Sequence, residues 1–533
     1  MYCLNESTNL GVFSMKSIYK LSLLACLGGL SLTTQAQTSY NAGLLMENQL
    51  NGTARFMGMG GAMSALGADL STLATNPAGI GLYRSNDVAF SLGWFHPTAK
   101  AEFNGESTDT KHSKFSFDQI GFVYSSKVGN RTAIRFLNFG FNYRKVKNFN
   151  SDFDMIGPMP SGDSYSHNIR ANLQAAGNTP EDFDNVLNSN NPLADTNYSW
   201  LSILAGETGY VSPGLDNKDF DTWGADYIGF HSENRGGINA YDFNLALNIK
   251  DRVYLGVTLG VYDLDFDRYS YYYERLFSDK RPDESPLMTL ENQYSLEGSG
   301  FDIKLGLIFR PMEYSPLRIG LAVHTPIWYN LSQCYAAAMG MQDYQGQDWN
   351  SSTGFTDWYD YSLRTPWKFN LSAAYTFGQN VALDAEYEYA DYSKAKFTDP
   401  NGYDLDYSNQ LVSEDLKGVH SFRIGVEGRI FDDISLRAGY GYTSALYKEL
   451  AYKYDAPTAI ETDIDYMNNY DAHSLSLGLG LRFGGFYADM AYVYTHQKAD
   501  FYPYSNMIFE QADPLTKVTH ADNRAVFTLG YRF

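Results

Sequence analysis

The sequence predicts an all-β fold, a 14-stranded antiparallel transmembrane β-barrel with long extracellular loops, and three observations point there. Apolar residues recur at every second position in one segment after another. Tight turns alternate with long polar loops between those segments. The N-terminus carries an export signal. The composition agrees: Tyr 43, Phe 33, Trp 7 and Gly 47 against 17 Pro favours strands over helices. The 533 residues are uniform enough to form one large unit. A net charge of −21 excludes partnership with nucleic acid, which requires Lys and Arg to neutralise phosphates. After residue 40 no stretch reaches the ~20 apolar residues of a spanning helix, so a membrane crossing must use strands.

The first element is the signal. Lys16 and Lys20 precede the apolar run from Leu21 to Leu32, which closes on Thr34-Gln35-Ala36, so residues 1–36 are expected to be removed. Met15 is the natural start of that signal, and residues 1–14 read as an over-extended beginning. The Leu23-Leu24-Ala25-Cys26 stretch lies too close to Lys20 to leave an apolar core for a lipidation signal. Cys334 is then the one mature cysteine, and no internal disulfide can form.

The strands are clearest at the C-terminus. Ala525, Phe527, Leu529, Tyr531 and Phe533 share one face, and Arg524, Val526, Thr528, Gly530 and Arg532 the other. The same alternation predicts strands over 87–96, 114–125, 132–146, 238–250, 252–268, 296–310, 316–326, 362–377, 380–391, 418–430, 433–446, 470–483, 485–496 and 520–533. Each is close to the ~9 to 11 residues that a tilted strand needs to cross a bilayer. Short turns fall at 128–130, 250–252, 311–316, 378–380, 431–433 and 484–485, as on the periplasmic rim of an outer-membrane barrel. A soluble sandwich also alternates, but its strands would not keep one apolar face through consecutive hairpins with Tyr387, Tyr389, Tyr440 and Tyr442 at their ends. In the fifth segment the apolar parity passes from Val261 to Leu264 and Phe266, with Asp263, Asp265 and Asp267 between, which predicts a bulge or emergence from the bilayer.

Parity assigns Lys368, Asp384, Glu386, Glu388, Arg423, Glu427, Arg437, Arg482 and Asp489 to the lumen, with Arg429, Arg524 and Arg532. Paired charges that fill a plugged interior are the favoured reading over an open water pore. The 147–237 loop is too long for a plain connector. Within it Thr179-Pro180 predicts a helix start. Trp200, Leu201, Ile203 and Leu204 form an apolar cluster with two readings, capture of a greasy ligand or a small core inside the loop. Trp328, beside Ile327 and Tyr329, is a further candidate for ligand capture. No metal-ligand spacing and no Gly-x-Ser-x-Gly elbow occurs, so neither an enzyme nor a bound metal or cofactor is expected.

Ahead of the first strand, residues 51–82 are rich in small residues, with Gly58 to Gly61, Ala65-Leu66-Gly67 and Asn76-Pro77-Ala78-Gly79. With these motifs and the 14-strand pattern ending in Phe533, the chain resembles the FadL/TodX family of outer-membrane transporters for long-chain fatty acids and other hydrophobic compounds. The resemblance implies that residues 37–86 form a luminal hatch, with Asn76, Pro77, Ala78 and Gly79 inside a barrel over 87–533. It implies passive transport of a hydrophobic small molecule across the bacterial outer membrane by loop capture, hatch rearrangement and lateral release. Expected partners are that ligand, outer-membrane lipid and, through the C-terminal strand and Phe533, the barrel-assembly machinery; the barrel is expected to be a monomer. Relatives of haem-related or secretory role keep open a barrel that binds haem or a partner protein and transports no lipid. From Leu137 to Tyr143 the third strand alternates without the break that a lateral opening would need.

Overall fold

The computed structural model describes residues 37–533 apart from 48, 215–217, 278–284, 313, 344 and 507–513. The expected signal over 1–36 lies outside the described residues.

Fourteen strands form the wall: β1 (Asp87–Phe103), β2 (Lys114–Lys127), β3 (Ile134–Asn148), β4 (Gly224–Ile249), β5 (Val253–Phe277), β6 (Leu287–Phe309) and β7 (Arg318–His324) make one half. The other half is β8 (Lys368–Phe377), β9 (Val381–Asp391), β10 (Gly418–Phe431), β11 (Ile434–Thr443), β12 (Tyr466–Phe483), β13 (Phe486–Tyr502) and β14 (Thr516–Arg532). Each pairs antiparallel with the next, and β14 returns to β1 in unbroken register from Asp87↔Arg532 to Glu102↔Lys517. Asn86 and Phe533 exchange backbone hydrogen bonds of 3.0 and 3.1 Å below that seam. The β14–β1 pairing removes the two terminal edges of the sheet, which hydrocarbon would not tolerate.

Alternation sets the two faces. Leu92, Phe243, Leu305, Phe369, Ile424 and Leu477 are exposed on the outside, while Asn244, Thr258, Asp384 and Thr528 are buried within. From Phe483 to His473 the outward row of β12 runs over ten residue steps. At ~3.3 Å per residue and a tilt of ~40°, that row spans a belt about 25 Å tall, the thickness a bilayer core requires.

Several strands continue past this belt. In β5 the outward Leu255, Val257, Leu259 and Val261 give way to Asp263, Asp265 and Asp267, and pairing with β6 continues without a register shift. The inward row changes in step, from Thr258 and Gly260 to Tyr262, Leu264 and Phe266. The parity change in the sequence is therefore emergence from lipid, with water outside and an apolar interior. The segment expected as one strand over 362–377 divides into Tyr359–Arg364 and β8, because Pro366 has no N–H to give the ladder. A strand at Trp328–Gln342 pairs with the upper half of β6 and raises the wall further.

The described residues of 37–82 occupy the interior, with α1 (Ser39–Met46), α2 (Ala54–Gly58), α3 (Thr72–Thr75) and the 3-10 turn Pro77–Leu82. The small residues of wall and segment meet backbone to backbone. A Cβ on Gly439 would stand 2.3 Å from the Gly60 nitrogen, and one on Gly256 would stand 2.3 Å from the Pro77 carbonyl carbon.

Between β3 and β4 the chain adds a strand, Ser151–Pro158, and the helices α4 (Tyr165–Ala175), α5 (Pro180–Leu187) and α6 (Trp200–Glu207). Thr179 caps α5 by accepting from the Asp182 amide at 3.1 Å, with Pro180 in the first turn. These helices share one hydrophobic core with the upper ends of β1, β4, β5, β6, β13 and β14.

Gly439→Leu is expected to expel the segment around Gly60 from the lumen while the wall stays closed. Steady ionic conductance in planar bilayers should rise above that of the parent, with heat-modifiable gel mobility retained; unchanged conductance would refute the packing argument.

Candidate functional site

The interior is held by charges that reach from the wall to the N-terminal segment. Arg55 of α2 donates to both oxygens of Glu427 on β10, through Nε at 2.8 Å and a terminal nitrogen at 2.9 Å. Arg437 on β11 donates to Glu427 at 2.6 Å and to Asp489 on β13 at 2.5 Å. Asp384 accepts from the amides of Ala65 and Leu66 at 3.1 and 2.7 Å, and Arg423 donates to Glu386 at 2.7 Å with Glu388 3.7 Å away. The Lys368 ammonium stands 5.9 Å from the Tyr392 ring centroid, and Arg482 faces a small void beside Arg55 and Asp489. Arg524 donates to the Leu50 carbonyl at 2.7 Å.

Asn76, Pro77, Ala78 and Gly79 lie buried near the short-turn rim. The Asn76 side chain accepts from the Ala78 amide at 3.2 Å and donates to the Leu307 carbonyl at 3.2 Å, and Asn244 donates to the Pro77 carbonyl at 3.3 Å. His324 bonds the Thr75 carbonyl at 2.7 Å. The motif thus ties the 3-10 turn to β4, β6 and β7.

Above α2 the segment leaves a chamber of about 340 Å³ between α1, β1, β3, β5 and the chain before β12. That volume falls in the range of small-molecule sites. Phe95, Phe149, Phe153, Phe266 and Phe501 supply an aromatic lining. Opposite them stands an ionic cluster: Arg268 donates to Asp465 at 2.6 Å, and the Lys453 ammonium is 2.8 Å from Glu461. The chamber suits a molecule with an apolar body and one polar end.

Beside the chamber the strand ladder lapses. β2 and β3 pair only from Gln119↔Arg144 downward, so residues 114–118 face 145–148 without a ladder. On the other side of β2 the register with β1 shifts between Ser91 and Leu92, and Asp118 is the extra residue. β3 carries its own shift between Lys145 and Lys147. Gln49 and Asn51 meet the exposed edge from inside. Asn51 donates to the Lys145 carbonyl at 2.9 Å, and Gln49 accepts from the Asn148 amide at 2.8 Å. Buried polar atoms on Asp118, Gln119, Asn142 and Asn148 line the inner lip without a hydrogen-bond partner among the described residues. Outside, the Phe117 and Tyr143 rings stack 5.7 Å apart, and Phe115 is 82% exposed. Higher up the gap ends where Thr110 donates to Asp154 at 3.0 Å and His112 bonds Asp152 at 2.8 Å.

The loop cluster lies elsewhere. Leu201, Ile203 and Leu204 on α6 are buried in the loop's own core with Phe183 and Phe220, and the Trp200 indole donates to the Leu193 carbonyl at 3.2 Å. Burial corrects the capture reading for these three leucine and isoleucine side chains, which offer a ligand no surface. Trp328 stacks on Phe301 on the outward face, centroids 5.1 Å apart, and is likewise not part of the chamber. The features that sequence reading missed are Gln49, Asn51 and the Asp118 bulge. One signal was present: the outward apolar residues of β2 change parity from Phe115 and Phe117 to Ile120 and Phe122.

No protein-family model matches the sequence, and no curated protein matches it. Among solved structures, a Pseudomonas aeruginosa FadL homologue aligns over 91% of this chain and 99% of its own, with 11% identity and a TM-score of 0.50. The fold is that of the FadL/TodX transporters. The P. putida toluene transporter TodX aligns over the same shares at 11% identity and a TM-score of 0.49. The Ralstonia pickettii toluene transporter TbuX covers 92% of this chain and 100% of its own, at 14% identity and 0.45. A closed, lipid-belted, even-stranded barrel of this FadL-like kind is a bacterial outer-membrane protein.

α1 is held partly by α7 (Asp406–Asp415), where Ser39 Oγ donates to Asp415 at 2.6 Å. Burial pushes the Asp415 carboxyl up to about 7 from an ordinary 3.8, against the lowering effect of the Ser39 hydrogen bond. An acid whose pKa rises on folding stabilises the fold below its unfolded value and loses that contribution as pH rises through the folded one. Hydrogen exchange of α1 amides, corrected for intrinsic rates, should therefore show weaker protection at about pH 8 than at about pH 5, and Asp415→Asn should flatten the trend. Arg55→Ala, which leaves a mostly buried Glu427 with Arg437 alone, should lower stability in denaturant by about 3 kcal/mol.

Proposed function

We propose that the chain carries hydrophobic small molecules, with a polar group at one end, passively across the outer membrane and releases them sideways through the wall between β2 and β3. The observation that carries this reading is the unpaired seam beside the aromatic chamber, where Gln49 and Asn51 of the luminal segment supply hydrogen-bond partners to the edge of β3. A backbone edge facing lipid is unfavourable unless its N–H and C=O groups find partners, so the two side chains act as a latch. Movement of residues 49–51 would leave the Lys145 carbonyl and the Asn148 amide open, and cargo would pass the inner lip and slide out along Phe117 and Tyr143 into lipid. The unbonded polar atoms of that lip would meet the polar end in passing.

The FadL-like fold and the sequence resemblance to the FadL/TodX family support transport of hydrophobic compounds, fatty acids or aromatic hydrocarbons among them. The chamber supports cargo near the small end of that range. Transport is downhill, driven by the concentration gradient and by partition into lipid. Capture belongs to the chamber mouth, since the α6 cluster is committed to its own core.

Deletion of Asp118 is expected to remove the bulge and let β2 and β3 pair further up. Cells that express the chain should take up a radiolabelled alkylbenzene or long-chain fatty acid faster than cells without it, and the deletion should cut that gain by about tenfold, the worth of one well-made hydrogen bond at the barrier. Full uptake in a properly folded deletion variant would rule out exit at this seam. Absence of any chain-dependent uptake of either probe would rule out the transport reading itself.

A further inference from the structure

We propose that the outer face of the barrel carries a second site, at the top of β11 and β12, that binds a phosphate monoester, and that its physiological source is the headgroup of an outer-leaflet lipid. β11 ends at Thr443, opposite Ala472, whereas β12 continues upward to Tyr466 with no strand on that side among the described residues. The chain that follows Thr443 turns inward, and Ala445, Leu446 and Tyr447 are buried. On its other edge β12 slips against β13: Asn469 pairs with Ala499 and Ala472 with Gln497, so Tyr470 and Asp471 stand against Lys498 alone. The two irregularities leave a cavity of about 460 Å³ open to the outside.

Its height follows from the belt. His473 is the tenth residue above Phe483 and shares outward parity with the exposed Leu475, Leu477 and Leu479. His496 and Lys498 continue the outward row of Tyr492 and Tyr494 on β13. The His473 ring bonds the Tyr440 hydroxyl at 2.9 Å, within the aromatic girdle that marks the membrane boundary. A lipid headgroup lies at this level, with its acyl chains against the leucine row below.

The chemistry of the lining selects the ligand. Lys417, Lys448 and Lys498 converge on the cavity with His473 and His496. Lys448 gives one N–H to the Ser413 carbonyl at 2.8 Å, while Lys417 and Lys498 form no ion pair or side-chain hydrogen bond among the described residues. The nearby carboxylates are largely engaged. Asp471 accepts from the Tyr442 hydroxyl at 2.7 Å and the Ala445 amide at 2.8 Å, and Asp500 accepts from Lys517 and Tyr470, each at 2.7 Å. Glu449 is exposed at the rim. These ammonium groups keep N–H donors free at the lipid boundary, and a phosphate monoester offers them close to two negative charges and three acceptor oxygens. The ammonium groups act as point charges that tolerate variation in the rest of the ligand.

Native mass spectrometry of the full chain in neutral detergent tests this with three probes: phosphatidic acid, phosphatidylcholine of the same acyl chains, and inorganic phosphate. One phosphatidic acid should stay bound per chain and phosphatidylcholine should not. K417Q/K448Q/K498Q should weaken that binding by at least about tenfold, and the matching triple Arg variant should retain it. Heat-modifiable mobility checks that each variant has folded. Inorganic phosphate that binds as tightly as the lipid would overturn the headgroup as the source. Equal retention of both lipids, or binding unaffected by the triple Gln change, would overturn the site.

Discussion

In hydrocarbon an amide or carbonyl has no water to fall back on, so every backbone group of a membrane-crossing chain must find a partner within the protein. The whole wall follows from that demand. It explains why β14 meets β1 without a slip, and why the last residue exchanges hydrogen bonds with Asn86. It also explains what happens where the ladder lapses. At the β2–β3 seam the missing partners are side chains of the luminal segment, Gln49 and Asn51. At the top of β11 Asp471 takes the amide of Ala445. A strand partner is permanent, whereas a side chain on a separate segment can withdraw.

The same segment depends on two different devices to stay in place. Glycines on the wall and on the segment let backbones touch, as at Gly439 and Gly60, so shape is matched at the closest possible range. Ion pairs such as Arg55 with Glu427 then fix which part of the segment lies against which strand. Buried pairs of this kind add little net stability compared with apolar packing, but a mismatched register would strand a charge in the interior. Glycines permit the fit and the charges choose the register.

Much of this was legible in the sequence because a strand reports its surroundings locally. Leu475, Leu477, Leu479 and their small or polar neighbours state which face meets lipid without reference to any other strand. Above the bilayer the rule inverts, since water lies outside and the apolar surface turns inward; Asp263 and Leu264 look like a fault in the pattern until the height of the membrane is known. The α6 cluster was ambiguous for a related reason. Apolar side chains on a helix fit either an exposed patch or a core, and only Phe183 and Phe220, brought from elsewhere in the loop, decide that Ile203 and Leu204 are inside. The Asp118 bulge left a trace in the apolar parity of β2, but a single slipped residue in one strand carries no information on whether its neighbour follows.

The sequence by itself determined the barrel, its strand number, its lipid face and the rim that carries the short turns, since period two and turn length are properties of neighbouring residues. Tertiary structure decided where the strand ladder lapses, which luminal charges pair, and where a chamber remains. Those features rest on residues hundreds of positions apart, such as Ala54 with Thr528 and Arg55 with Glu427. Closure of the cylinder alone brings them to hydrogen-bonding distance, and no local pattern along the chain encodes how a closed wall will meet the segment folded inside it.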